Sequence, residues 1–163
     1  MLCKIISGGQ TGADRAALDA ALEIGFPVGG YCPAGRRAED GPIPVHYPLE
    51  EIDGDEAART RMNVEAADGT AIFFRGSIKR GTAHTLSCCI ALGRAYRLID
   101  TGAVGAERAA TALLAFLNTH QVGILNIAGP RLSEEPTIYA DVIVICKILY
   151  SLRHAARIAR STT

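Results

Sequence analysis

The 163-residue chain carries 17 lysines and arginines against 17 aspartates and glutamates, and 48% of its residues are hydrophobic. The charge balance offers no positive field for a long polyanion, which disfavours nucleic-acid binding as a general function. No apolar run approaches the roughly 20 residues that a membrane helix needs, so we expect no membrane association. The composition is that of a globular protein with a packed core.

The five cysteines are odd in number, and no two of them have the Cys-x-x-Cys spacing. A disulfide framework or a structural zinc site is therefore not expected. The N-terminus enters an apolar segment directly, without the layout of a signal peptide. These features predict reduced thiols in a cytoplasmic protein.

Short apolar runs alternate with alanine-rich segments along the chain. The apolar runs predict five strands, at residues 2–6, 27–31, 70–74, 96–99 and 122–127. The alanine-rich segments predict five helices, at residues 13–24, 56–67, 82–94, 106–120 and 136 to about 160, with Ser151 as a candidate break in the last one. Residues 32–55 are rich in proline, glycine and charge, which predicts a long ordered loop with a function.

This alternation predicts a single domain over residues 1–163 with a three-layer Rossmann-like α/β fold. We expect a mainly parallel sheet in the strand order 2-1-3-4-5, with helices on both faces and right-handed crossovers. Ligands of such sheets bind beyond the carboxyl ends of the strands, where the strand order reverses. The predicted order places that point between the strands that end at Ile6 and Phe74.

A glycine-rich loop separates the first predicted strand from the first predicted helix. Such a loop lets a ligand approach the backbone, and the first N–H groups of the helix have no internal partner, which predicts an anion seat. The candidate residues are Gly8, Gly9, Gln10, Thr11 and Gly12. Thr11 and Asp14 have the spacing of a capping box. The loop matches neither the P-loop nor the dinucleotide fingerprint, and a tight turn without a ligand is the alternative.

The predicted long loop concentrates charge in a short stretch. Arg36 offers a forked donor suited to phosphate or another oxyanion. Glu39 and Asp40 could form ion pairs with the neighbouring arginines or accept hydrogen bonds from a ligand. The alternative is a solvated loop that is held by its own ion pairs. Cys32 lies in the same loop, where its thiol is either a soft metal ligand or, as we prefer, a bystander.

Candidate binding residues also follow the third and fifth predicted strands. They are Gly76, Lys79, Gly81 and Thr82 after the third strand, with Thr82 as a helix N-cap, and Asn126, Gly129 and Arg131 around the end of the fifth. His84 is the histidine nearest to this predicted site. The spacing shows no Ser–His–Asp or Cys–His arrangement, so we predict no catalytic residue.

Several blocks of the chain, in order from about Ile6 to Tyr139, resemble the molybdenum-cofactor carrier family. That family is similar in fold to the Rossmann-like proteins called lysine-decarboxylase-like, which include cytokinin-activating phosphoribohydrolases and nucleotide-sensing domains. The blocks are ISGGQTGADRAALDAAL, GGYCPAGRRAEDGPIPVHYPLEE, RTRMNVEAADGTAIF, GTAHT, LNIAGPR and PTIY.

The resemblance implies a small cytoplasmic homo-oligomer, a dimer or a tetramer, that binds molybdenum cofactor or a similar anion without turning it over. Molybdoenzymes or cofactor-synthesis proteins are candidate partners, and we expect no resident metal. The loop from Gly8 to Gly12 would hold the phosphate or the oxo groups of the metal. Arg36, Lys79 and Arg131 would neutralise charge, and Glu39, Asp40 and Asn126 would meet the edge of the pterin.

The chain departs from the related patterns at three positions. Arg80 stands where the family has glycine, and it either strengthens anion binding or blocks the pocket; Leu132 stands where glutamate is common. Thr85 takes the place of the glutamate in the Pro-Gly-Gly-x-Gly-Thr-x-x-Glu motif of the phosphoribohydrolases. We therefore expect a binding protein rather than an enzyme. Two alternatives stay open: a nucleotide-binding or nucleotide-sensing domain of the same fold, and a nucleoside-monophosphate phosphoribohydrolase-like enzyme.

Overall fold

The structure is a computed structural model that describes residues 1–161. Its strands are β1 (Lys4–Ile6), β2 (Val28–Gly29), β3 (Tyr31–Pro33), β4 (Arg37–Ala38), β5 (Gly41–Pro42), β6 (Glu50–Ile52), β7 (Gly69–Phe74), β8 (Ala95–Asp100) and β9 (Ile124–Ala128). Its α-helices are α1 (Ala13–Glu23), α2 (Glu56–Ala66), α3 (Arg80–Ala91), α4 (Ala106–Thr119) and α5 (Ile138–Ser161). None of these helices is both long and apolar enough to span a membrane.

Five of the strands form one parallel sheet in the order β2-β1-β9-β7-β8. On one face, α1, α4 and α5 bury the main aliphatic core, which includes Ala17, Leu113 and Ile145. On the opposite face, α2 and α3 pack on the sheet through Val64 and Cys89. The predicted three-layer α/β fold with a mainly parallel sheet is therefore confirmed.

The position of β9 corrects the predicted strand order 2-1-3-4-5. The strand expected at the sheet edge instead lies between β1 and β7 and pairs with both. Its residues Leu125, Asn126 and Ile127 are all buried, whereas β8 leaves Tyr96 and Leu98 39% and 37% exposed. A strand in the middle of a parallel sheet must be covered on both faces, and only an edge strand tolerates this exposure. The burial of the side chains thus agrees with β8 at the edge and β9 in the centre.

The observed order is a permuted form of the doubly wound arrangement. If the strands of the sheet are numbered from β9, as though the chain began there, the order becomes 3-2-1-4-5. The reversal point then lies between β9 and β7, and not between β1 and β7 as predicted. A ligand site should therefore be sought where residues that follow β9 meet residues that follow β7.

The predicted helices agree with the observed ones to within a few residues at each end. The largest shift is in α3, which ends at Ala91 rather than at Arg94 and begins at Arg80 rather than Thr82. The final helix continues through the predicted break at Ser151. The Ser151 hydroxyl donates to the Lys147 carbonyl at 3.1 Å, so this side chain satisfies its own polar group inside the helix.

The predicted long loop contains short strands and is held together by Arg36. β3 pairs with β6, and β4 pairs with β5. The Arg36 guanidinium donates to the backbone carbonyls of Ile43, Pro44, Tyr47 and Leu49 at 2.9–3.1 Å. Arg36 also has a φ of 52°, a conformation that side chains other than glycine adopt rarely. The arginine predicted to bind a ligand therefore orders its own loop.

Arg36→Ala should destabilise the protein, because four carbonyl groups lose a charged donor. The free energy of unfolding should fall by about 2–3 kcal/mol, in the range for hydrogen bonds to a charged group. Arg37→Ala is the matched control, since Arg37 is exposed and the described residues offer its guanidinium no hydrogen bond or ion pair. Urea denaturation of the three proteins measures the effect. Equal midpoints for both variants would show that the Arg36 contacts contribute little.

Glu39 links the same loop to the segments that contain Thr11 and Ser133. Its carboxylate accepts hydrogen bonds from the hydroxyl groups of Thr11 and Ser133, and from the Ser133 N–H at 3.3 Å. Burial raises the pKa of Glu39, but these hydrogen bonds outweigh it, so the net pKa is below the ordinary value. Asp40 beside it pairs with Arg15, and the hydrogen bonds from that guanidinium lower the Asp40 pKa.

The lowered pKa of Glu39 predicts a pH-dependent contribution to stability. A depressed carboxyl pKa stabilises the fold above the unfolded-state value of 4.5, and this stabilisation is lost as pH falls through the folded-state value. Glu39→Gln should therefore lower the melting temperature at neutral pH, and the difference from wild type should shrink towards zero near pH ~3. Thermal denaturation followed by circular dichroism across this range tests the expectation. If the difference in melting temperature does not change with pH, the effect of the substitution arises from the shape of the side chain and not from its charge.

Candidate functional site

A cleft of about 290 Å³ opens beyond the carboxyl end of β9, between the N-terminal turns of α2 and α3. It lies at the reversal point of the permuted sheet, where the topology places a ligand site. Charged side chains dominate its lining: Asp14, Glu56, Glu134, Arg59, Arg80 and Arg131. His84 completes the set of titratable groups. A cleft of this composition is suited to a small, charged and polar ligand.

The glycine loop (Ser7–Gly12) borders this cleft, and the protein itself supplies acceptors for some of its N–H groups. The Gln10 N–H donates to the Asp14 carboxylate at 3.3 Å, and the Thr11 N–H donates to the Gln10 side-chain oxygen at 3.0 Å. The Ala13 N–H, at the start of α1, donates to the Pro130 carbonyl at 3.2 Å. For these three N–H groups, the acceptor is a neighbouring residue and not the bound anion that was predicted.

The predicted capping box is not formed at the start of α1. Gly12 is the N-cap, and no side chain caps the helix. Gly12 has a φ of 80°, and a Cβ at this position would collide with the Pro130 carbonyl oxygen. The Thr11 hydroxyl is engaged elsewhere, with Glu39 and with the Leu132 N–H at 3.1 Å. Glycine is required at position 12 for packing against the end of β9, independently of any ligand.

An ion pair between Asp14 and Arg59 forms the floor of the cleft. The Arg59 guanidinium lies 3.1 Å from the Asp14 carboxylate, and the two side chains are 12% and 4% exposed. Arg59 occupies the space beside Gly8, where a Cβ would collide with its guanidinium. Burial raises the pKa of Asp14, and the charge of Arg59 offsets this only in part. Gly8 therefore accommodates an arginine of α2, a role that the sequence did not predict.

A second ion pair lies at the rim of the cleft. Arg131, which follows β9, donates to the Glu56 carboxylate of α2 at 2.9 Å. The Gln10 side-chain amide donates to the same carboxylate at 3.3 Å. Burial alone would lower the pKa of Arg131, but the hydrogen bond and charge of Glu56 raise it. Two of the three arginines in the cleft are therefore already balanced by carboxylates.

The first turn of α3 presents open donors to the cleft. Its N-cap is Lys79 rather than Thr82, and no side chain caps the turn. The first N–H groups of a helix have no acceptor inside it, and no atom lies within 4 Å of the Cβ position of Gly81. Thr82 is buried, and its hydroxyl has no hydrogen-bond partner among the described residues. The first turn of α3 thus has backbone N–H groups without an acceptor inside the helix, next to one buried hydroxyl without a partner among the described residues.

Four of the predicted binding residues line the cleft, namely Gln10, Gly81, Gly129 and Arg131. Three polar side chains are engaged elsewhere: the Lys79 ammonium donates to the Glu134 carbonyl at 2.9 Å, and Glu39 and Asp40 are held by the contacts described above. Gly9 is packed against Ile43 and Leu49. The predicted site is therefore brought together only in part.

Three further predicted residues have other surroundings. Asn126 is buried within the sheet, where its side-chain amide donates to the Thr70 hydroxyl at 3.4 Å. The Gly76 N–H donates to the Asp100 carboxylate at 3.0 Å in the turn after β7. Cys32 is fully buried, and burial raises the pKa of its thiol. Within residues 1–161, no three His, Cys, Asp or Glu side chains are grouped so as to hold a metal ion.

Comparison with known proteins adds to this description. A family model, the circularly permutated YpsA SLOG family, matches residues 5–149. A crystal structure named "Putative molybdenum carrier protein", from Syntrophus aciditrophicus SB, is 41% identical, with a TM-score of 0.89 over 91% of this chain and 94% of that chain. No curated protein sequence matches the chain.

These matches confirm the family resemblance that the sequence blocks indicate. The strand order agrees with the family description, because the doubly wound order is recovered only when the strands are numbered from β9. The match covers most of the residues, including the glycine loop, both cleft ion pairs and the first turn of α3. The chain therefore belongs to the circularly permutated YpsA SLOG family.

Proposed function

We propose that this protein binds and carries molybdenum cofactor, or a similar phosphate-bearing pterin or oxyanion, without turning it over. The observation that carries the proposal is the uncapped first turn of α3 with Arg80 beside it, in a cleft that Arg59 and Arg131 also line. The name of the crystal structure from Syntrophus aciditrophicus, a molybdenum carrier, supports the identity of the cargo.

The phosphate of such a ligand would bind at the first turn of α3. Free N–H groups at a helix N-terminus and the helix dipole both favour an anion. Arg80 is exposed beside this turn, and the described residues contain no hydrogen-bond or ion-pair partner for its guanidinium. Gly81 leaves room for the ligand to approach the backbone. The seat is therefore assigned to α3 rather than to the glycine loop.

The heterocycle of the ligand would meet the acidic side of the cleft. A pterin presents N–H groups along one edge, and carboxylates are suitable acceptors for them. Glu56 and Glu134 line the cleft, whereas Glu39, Asp40 and Asn126 are engaged elsewhere. The volume of the cleft, about 290 Å³, lies at the lower end of the range for small-molecule sites.

The bonding of the acidic groups supports a carrier rather than an enzyme. Asp14 and Glu56 are each held by an arginine. A general acid or base must be free to exchange a proton with the substrate. The cytoplasmic location, the homo-oligomer and delivery to molybdoenzymes remain predictions that rest on the family resemblance.

Gly81→Asp should abolish retention of the cofactor, because it places a carboxylate in the phosphate seat. Gly81→Asn is the matched control of similar size without the charge, and aspartate in the first turn of a helix does not destabilise it. Each protein is purified without oxygen from a host that makes molybdenum cofactor and from one that cannot. The pterin released by oxidation is then measured by fluorescence per mole of protein. Wild type from the competent host should approach one pterin per chain, and G81D should retain at least about tenfold less than G81N.

Two results would contradict the proposal in different ways. Equal pterin in G81D, G81N and wild type would place the cargo outside the first turn of α3. No pterin in any sample, together with a rise in melting temperature on adding adenosine monophosphate, would favour the nucleotide-binding alternative, since a ligand of the native state must stabilise it. The same G81D variant should then lose the response to the nucleotide.

A further inference from the structure

The charges that line the cleft cancel when His84 is neutral. Asp14 is paired with Arg59, and Glu56 is paired with Arg131. Of the remaining charged lining residues, Glu134 carries one negative charge and Arg80 one positive charge. With a neutral imidazole the site has no net charge to offer an anion, and a proton on His84 raises the total to +1. The charge of one histidine therefore decides whether the lining carries a net positive charge.

His84 and Arg80 lie four residues apart on α3, so their side chains project from the same face of the helix. Both line the cleft and both are exposed. The His84 Nε2 lies 3.4 Å from the Ala57 carbonyl oxygen and 3.6 Å from the Cys88 sulfur. Neither partner carries a formal charge, so these two contacts form no ion pair with the ring.

We infer that Arg80 and His84 form an anion clamp in which protonation of His84 is coupled to binding, so that the ligand is held more tightly as pH falls. The inference deepens the proposed function and rests on it for the location of the site. Arg80 supplies a permanent positive charge, and His84 supplies one that depends on pH. The recognised group is an oxyanion that carries two negative charges, such as a phosphate ester.

The direction of the pH effect follows from the groups that face His84. From α3 these are Arg80 and Cys88, and from α2 they are Glu56 and Arg59. Asp14 of α1 lines the same cleft, as do Arg131 and Glu134 after β9. Imidazole is the side chain in this set that ordinarily exchanges a proton between pH ~5 and ~8. A bound anion favours the protonated ring, so binding takes up a proton and a rise in pH favours release.

Sulfate is a suitable probe because it keeps its two charges throughout this pH range, unlike phosphate. Binding is measured by calorimetry at constant ionic strength, in buffers of different ionisation enthalpy, so that proton uptake is read directly. For wild type we expect the affinity to fall about five- to tenfold between pH ~6 and ~8, with a fraction of a proton taken up per sulfate. The two variants are His84→Gln and Arg80→Gln. The control is His154→Gln, at an exposed position of α5.

The two variants should separate the two roles. His84→Gln should bind sulfate with an affinity that changes less than about twofold over the same range, without proton uptake. Arg80→Gln should bind about tenfold more weakly at every pH and still take up a proton. His154→Gln should behave as wild type. Circular dichroism establishes that each variant is folded before the titration.

Several outcomes would overturn the inference. Proton uptake that persists in His84→Gln would assign the coupling to another group, of which Asp14, with its raised pKa, is the first candidate. Absence of sulfate binding to wild type at pH ~6 would show that no anion clamp exists. If no pterin is recovered but sulfate still binds with uptake of a proton, the proposed cargo is rejected and the anion clamp is kept. The two proposals can therefore fail separately.

Discussion

Strand β9 must pair on both of its edges, with β1 and with β7, before the sheet is complete. It comes last among the strands along the chain, and its residues Leu125 and Ile127 are fully buried. Without it, the β2-β1 pair and the β7-β8 pair share no strand edge in this sheet. Gly129 directly follows the same strand, and a Cβ there would collide with Ala13 and with the Phe73 carbonyl. One strand therefore forms both the centre of the sheet and a wall of the cleft.

Charge pairing inside the cleft occupies part of a loop that resembles an anion site. The Asp14 carboxylate acts as an internal anion for the Gln10 N–H, and Arg59 covers Gly8 from the opposite helix. A buried ion pair contributes little net stability, but loss of one partner leaves an uncompensated charge. The pair therefore constrains Asp14 and Arg59 to be kept or lost together, and it holds α2 against the start of α1.

The functional proposals depend on which charged groups remain after this pairing. Arg36 is committed to four carbonyls of its own loop, and Glu39 to the hydroxyls of Thr11 and Ser133. The first turn of α3, with Arg80 and His84, is the part of the cleft whose donors are not consumed in this way. A site built on a helix terminus and one unpaired arginine suits binding and release of an anion, since it presents charge without burying it.

The sequence by itself determined the fold class, because the alternation of apolar runs and alanine-rich segments already specifies strands and helices that can only form a layered parallel sheet. It also determined that Gly81, Gly129 and Arg131 would reach one rim, since loops at the carboxyl ends of parallel strands share an edge. Tertiary structure alone decided that β9 is central, because pairing between strands far apart in the chain leaves no local signal. It likewise decided the partner of each charge: no residue near Arg36 or Arg59 in the sequence indicates that packing directs the first to backbone carbonyls and the second to Asp14.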